Sequence, residues 1–225
     1  MKRLLKYIFI VLSISFLFLI IFFSQDNRTI INTEKLSNHR EVGDIYILQE
    51  EYNNKEVIGI IKIPGVINIP FAKASNNEFY LDHDLSKKPD KNGSVFMDYR
   101  TNFEDRKILL YGHSGRGNLP FAILNKYLNK DFFDNNQMIY LRSSEKTYKY
   151  KVISSYIETN DFDYVNVNSF GGLSFEEHVK KLQAKSVFKT NYHVNSDSKI
   201  LILQTCSLVN IGKYRFHIVV AVLEN

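Results

Sequence analysis

Cys206 is the only cysteine among the 225 residues of this chain. It closes the apolar run Ile200-Leu201-Ile202-Leu203-Gln204-Thr205-Cys206 and stands nine positions before Arg215, where a second apolar run opens. A single thiol has no internal disulfide partner, so it is either packing or chemistry. At an ordinary pKa of roughly 8.5 only a few per cent is thiolate at neutral pH, and covalent catalysis needs a nearby base or cation. His113 offers the base: it leaves another apolar run, Lys107-Ile108-Leu109-Leu110-Tyr111-Gly112, and precedes Ser114-Gly115-Arg116-Gly117, whose glycines let backbone approach a ligand. Arg215 offers the cation. If 207–214 is a hairpin loop, Cys206 and Arg215 stand on antiparallel neighbours about 5 Å apart. A fixed guanidinium there could hold an oxyanion, an interaction worth about 3 kcal/mol in a transition state.

Taken singly, none of the three compels a catalytic reading. Free cysteine is among the most buried residue types, a histidine at a strand end is more often a surface or hydrogen-bonding group, and an arginine on a strand is usually a solvated charge. His217 is a rival base, two residues after Arg215, but it is embedded in Tyr214-Arg215-Phe216-His217-Ile218-Val219-Val220, where a structural role fits better. His39, His83, His178 and His193 lie in polar contexts and take no role. The spacing of one cysteine and scattered histidines matches no zinc site, and no glycine-rich phosphate loop occurs. No metal and no cofactor is expected.

The elements that must position these residues are mostly strands. Short β-branched runs punctuated by Gly and Pro begin at Val57 and Val66, and further candidates are 94–97, 107–111, 138–141, 147–157, 200–204 and 214–223. About eight short strands over 57–225 argue for a mainly β, closed or nearly closed barrel. Two helices interrupt it. Pro120 suits a first helical position, with Phe121, Leu124 and Leu128 as an apolar stripe. Ser174 and Glu177 form a capping box for a helix reaching about Lys185.

Ahead of the barrel, Lys2, Arg3 and Lys6 precede the uncharged stretch 7–23, long enough to cross about 30 Å of hydrocarbon. The expected order is a cytoplasmic tip (1–6), a transmembrane anchor (7–23), a stalk with one or two helices (24–56) and an outward-facing barrel (57–225). A cleaved signal peptide is the alternative. The net charge of +5 does not point to nucleic acid: with three of the 29 basic residues in the tip, 26 basic residues face 24 acidic ones elsewhere, without a basic stripe.

Tyr111-Gly112-His113, the strand-terminal Leu203-Gln204-Thr205-Cys206 and the downstream Arg215 together resemble the sortase signature, in which a Thr-Leu-x-Thr-Cys element combines with an upstream histidine and a downstream arginine. Asn77-Glu78-Phe79-Tyr80-Leu81-Asp82-His83, Gly93-Ser94-Val95-Phe96-Met97-Asp98-Tyr99-Arg100, 121–141 and the capped helix before the cysteine strand look like class B sortases. One departure is Ile202, where the family usually has threonine. The resemblance implies an eight-stranded sortase barrel outside a Gram-positive membrane and a cysteine transpeptidase. Cys206 would attack a threonine carbonyl in a C-terminal sorting signal, His113 would shuttle the proton, and Arg215 would steady the oxyanion. Its implied partners are secreted proteins bearing the signal and a peptidoglycan precursor amine, with substrate contacts at Gln204, Thr205, Ser207 and Tyr164 and a monomeric state. Two other readings stand beside it: a cysteine endopeptidase with water as acceptor, and a non-catalytic binding barrel.

Overall fold

A computed structural model describes residues 45–114, 119–167, 170–195, 197–206 and 215–224. Eight strands close a barrel: β1 (Val57–Ile63), β2 (Ile67–Ala72), β3 (Phe96–Met97), β4 (Lys107–Tyr111), β5 (Met138–Arg142), β6 (Thr147–Glu158), β7 (Ile200–Cys206) and β8 (Phe216–Leu223). Their order around the barrel is β1-β2-β3-β4-β7-β8-β6-β5. Closure leaves no open edge, and the alternation of apolar side chains along each strand then fills two separate layers. Leu201, Leu203, Val219 and Ala221 point inward with Ile108, Leu110 and Tyr150, whereas Ile200, Ile202, Ile218 and Val220 point outward with Leu109.

The outward set is covered by α3 (Phe175–Ala184), through Phe175, Val179 and Leu182. The expected capping box is present, Ser174 accepting from the Glu177 amide and Glu177 accepting in turn from the Ser174 amide. A shorter helix, α1 (Ile45–Glu51), seats Ile45 and Leu48 against β1 and against Tyr80 and Phe96. The expected anchor over 7–23 and most of the stalk lie outside the described residues. Among the described residues no helix is long and apolar enough to cross a membrane.

Two sequence expectations change. The segment Pro120–Leu128 is a 3-10 helix, followed by the short α2 (Lys130–Asn135) capped by Asn129. Phe121, Leu124 and Tyr127 are all fully buried, a spacing of three that a helix with three residues per turn stacks on one line. An apolar stripe at 121, 124 and 128 is therefore replaced by one at 121, 124 and 127. The last strand begins at Phe216, so Arg215 stands just before it rather than within it.

One glycine bears directly on the site. Gly93 has φ +58°, and a Cβ there would lie 2.4 Å from the Tyr80 carbonyl oxygen and 2.6 Å from that of Leu81. Both contacts are backbone and cannot swing away. Gly93→Ala is expected to lower stability by about 1–3 kcal/mol, read from chemical denaturation, and to displace the 79–81 turn. An unchanged denaturation midpoint would show that the turn is free to move.

Candidate active site

The barrel order does what the linear sequence could not: it places β7 between β4 and β8. β4 and β7 run parallel with Tyr111 opposite Gln204, and the Gly112 amide donates to the Gln204 carbonyl at 3.2 Å. Two residues beyond that pair come His113, just past the end of β4, and Cys206, the last residue of β7, so the two stand at the same end of the barrel. On the other side β8 runs antiparallel with Phe216 opposite Cys206, which brings Arg215 one step beyond the thiol. Sulfur, imidazole and guanidinium thus belong to three adjacent chain segments at a single barrel end.

Gly112 permits this approach. A Cβ there would meet the Phe121 ring at 2.7 Å, so the ring of the 3-10 helix packs directly on the backbone next to His113. Ser114, just after the histidine, donates its hydroxyl to the Cys206 carbonyl, and Asn125 Nδ2 donates to the same oxygen at 3.4 Å. The backbone under the thiol is therefore held from the histidine segment and from the helix.

Cys206 is exposed. The protein around its sulfur nonetheless removes enough water to push the thiol above its ordinary pKa. At neutral pH the resting group is the thiol, and a nucleophile must be made by proton transfer. His113 is ready for that. Its Nε2 lies 2.7 Å from the Leu81 carbonyl oxygen. A carbonyl can only accept, so Nε2 carries the hydrogen and Nδ1 keeps the basic lone pair in the neutral ring. Arg215 is half-buried, and its Nε is shielded from solvent without a hydrogen-bond partner among the described residues. A cationic donor in that state is poised for an anion.

His217 is placed elsewhere. It is 0% exposed, opposes Thr205 and lies 2.8 Å from the Ser155 hydroxyl through Nε2. Burial lowers its pKa to about 4, so it is a neutral packing histidine at physiological pH.

Of the other sequence candidates, Gln204 lies on the outer face with Cys206 and accepts a hydrogen bond from the Tyr164 hydroxyl at 2.9 Å. Tyr164 is itself 1% exposed, on a 3-10 turn at Asp163–Val165. Thr205 points the other way, 1% exposed, with no partner for its hydroxyl among the described residues. Ser207 and the glycines at 115 and 117 fall outside the described residues. The turn that carries Tyr164 is fastened from α3: Lys181 Nζ reaches Asp163 at 2.5 Å and Asp161 at 2.9 Å, while Lys185 Nζ reaches Glu158 at 2.6 Å and Asp161 at 3.0 Å.

Two features escaped sequence reasoning. Asp98 sits fully buried beneath the rim as a five-fold hydrogen-bond acceptor, a role that a lone Asp-Tyr-Arg triplet does not announce. His178, in a polar sequence context, proves to be fully buried on α3 with Nε2 2.9 Å from Lys107 Nζ, which also donates to the Asn166 carbonyl at 2.7 Å. Burial draws the Lys107 amine down to about 7 and the imidazole to about 4. This pair stands at the start of β4, the end away from Cys206.

The fold is thus a closed eight-stranded barrel with a cysteine, a histidine and an arginine at one rim. The sortase domain model matches residues 67–224. The chain belongs to the sortase family, in its class B. Sortase B of Listeria monocytogenes is 32% identical over 156 residues, 68% of this chain and 63% of that protein. Sortase B of Staphylococcus aureus is 27% identical over 193 residues, 81% of this chain and 79% of that protein. Among solved structures, a Staphylococcus aureus sortase B–substrate complex superposes with a TM-score of 0.74 at 26% identity, covering 89% of this chain and 98% of that one. Clostridium perfringens sortase B gives 0.71 at 28% identity, covering 79% and 100%.

Proposed function

We propose that this chain is a membrane-anchored cysteine transpeptidase on the outer face of a Gram-positive cell, joining secreted proteins to the cell wall. The observation that carries the reading is the order β4-β7-β8, which sets His113, Cys206 and Arg215 at one rim. The sulfur of Cys206 attacks the carbonyl carbon of a threonine in a C-terminal sorting signal, its proton passing to Nδ1 of His113. Arg215 faces the oxygen that becomes negative. Collapse of the tetrahedral centre breaks the C–N bond, the imidazolium protonates the departing amine, and a thioester remains on Cys206. An amine of a peptidoglycan precursor then attacks the thioester, gives its proton to the imidazole and expels the sulfur, restoring the enzyme.

Around the rim, Leu81 and Phe162 are 41% and 40% exposed, and Phe162 leans edge-on to Phe216 at 6.0 Å. Such an apolar lip fits peptide side chains flanking the scissile bond. Gln204 and Tyr164 form the wall next to the thiol, and Thr205 supports it from within the barrel; Ser207 completes the proposed contacts. The uncharged segment 7–23 supplies the anchor, and the enzyme works as a monomer.

The test incubates the full-length chain with candidate sorting peptides, with and without an added amine, and follows products by mass spectrometry. An acyl adduct on Cys206 and product that depends on the amine are expected. Hydrolysis indifferent to every amine would make the protein an endopeptidase, and an unreactive thiol would make it a binding barrel. Arg215→Lys is expected to stay folded while turnover falls roughly a hundredfold or more, because a single ammonium cannot reproduce the fork. Near-normal turnover in that variant would remove Arg215 from the mechanism.

A further inference from the structure

The loop that holds His113 through Leu81, the turn that holds Gln204 through Tyr164, and the strand end at Tyr111 are all tied to one buried carboxylate. The Asp98 side chain is fully shielded from water. Its Oδ1 accepts from the Arg100 amide and from Arg100 Nε, both at 2.9 Å. Its Oδ2 accepts from Arg100 Nη2 at 2.7 Å, from the Tyr111 hydroxyl at 2.7 Å and from Asn77 Nδ2 at 3.0 Å. Burial by itself would raise this carboxyl, yet the bonds from Arg100, Tyr111 and Asn77 outweigh it and hold the group ionised below the ordinary carboxylate range.

Each arm leads to the rim. Tyr111 ends β4, two residues before His113. Asn77 opens the loop whose Leu81 carbonyl holds His113 Nε2, and its Oδ1 accepts the Tyr99 amide at 3.0 Å. The third arm is Arg100: the same Nη2 that binds Asp98 also donates to the Val165 carbonyl at 3.0 Å. Val165 adjoins Tyr164, whose hydroxyl holds Gln204, two residues before Cys206. The base and the nucleophile therefore take their relative height from one fork.

We propose that Asp98 and Arg100 form a positioning pair for the transpeptidation, with Arg100 clamping the Tyr164 turn to the His113 strand so that Cys206 and His113 stay level. The idea rests on the transpeptidase reading. Neither residue touches the reacting atoms, so neither is catalytic. A purely stabilising ion pair would need only opposite charges; this one uses the planar fork, side-on to the carboxylate and open to Val165 at one corner. A lysine restores the charge, but its single nitrogen cannot take both carboxylate oxygens side-on and reach Val165 from the same pose.

The experiment compares Arg100→Lys with Tyr148→Phe in the full-length chain. Tyr148 bonds Glu104 at the opposite barrel end at 2.6 Å and serves as a stability control. Arg100→Lys is expected to keep its unfolding midpoint within a few degrees of the parent while kcat for acylation of Cys206 falls about tenfold to a hundredfold, with a smaller change in KM, as suits a misplacement below about 1 Å. Tyr148→Phe is expected to change kcat less than about twofold. Hydrogen exchange gives a second reading that needs no turnover. The Gly112 amide, bonded to Gln204, should lose protection in Arg100→Lys, while the Ile200 amide, bonded to Arg106 at the far end, should not. Parental kcat in Arg100→Lys, an equal loss in Tyr148→Phe, or unaltered Gly112 protection would each overturn the proposal. If the parent chain acylates no peptide at all, the transpeptidase reading fails, and the exchange measurement still decides whether the fork aligns the strands.

Discussion

Cys206→Ala is expected to abolish both the acyl adduct and product formation, a loss on the order of 10⁴-fold to 10⁶-fold. The size follows from what remains at the rim. Ser114 brings a hydroxyl to the rim, but it donates to the Cys206 carbonyl. Water could still attack a bound peptide with help from Arg215, which leaves only weak hydrolysis. Folding should survive, because the thiol is exposed and its removal opens no cavity in the core. The same variant calibrates the thiol: in the parent, alkylation of Cys206 by iodoacetamide should keep rising with pH beyond about 8.5, since burial raises the group and the resting form is protonated. Residual amine-dependent product in Cys206→Ala would mean that another nucleophile does the chemistry.

The second large effect is the loss of the base. His113→Ala is expected to reduce turnover by about 10²-fold to 10⁴-fold with little change in unfolding midpoint, whereas His217→Ala should do the reverse. The contrast comes from surroundings. His113 is half-exposed at the rim with Nε2 held by the Leu81 carbonyl. His217 is enclosed among the inward side chains and bonded to Ser155, so its removal leaves a void and an unpartnered hydroxyl, costing about 2–4 kcal/mol. A folded His217→Ala enzyme that was slower than His113→Ala would transfer the proton shuttle to His217.

Much of the architecture was legible in the chain because strands and caps are written locally. The runs at 57–63, 107–111 and 200–206 declare themselves by consecutive apolar residues, the first two closed by Pro64 and Gly112, and Ser174 with Glu177 marks a helix start in four residues. The three proposed reactive side chains were also visible, as strand-end residues of the right kinds. Non-local pairing was not. No residue type records that β4 lies beside β7, in parallel and in register, which is what sets His113 level with Cys206. Likewise the Leu81 carbonyl is a backbone atom, silent in any side-chain pattern, and Asp98 becomes a hub only when Asn77, Arg100 and Tyr111 converge on it. The 3-10 form of Pro120–Leu128 was missed because two spacings share positions 121 and 124 and only packing selects Tyr127 over Leu128.

The parallel pairing of β4 with β7 joins residues 93 positions apart, with α2, α3 and two strands intervening in sequence. Contacts of that separation carry a high loop-closure cost and belong to the slow stages of folding. No nascent or half-assembled form lacking this pairing can bring the imidazole to the sulfur. On the proposed function, a chain that has not yet formed this pairing is consequently inert, and competence arrives together with barrel completion.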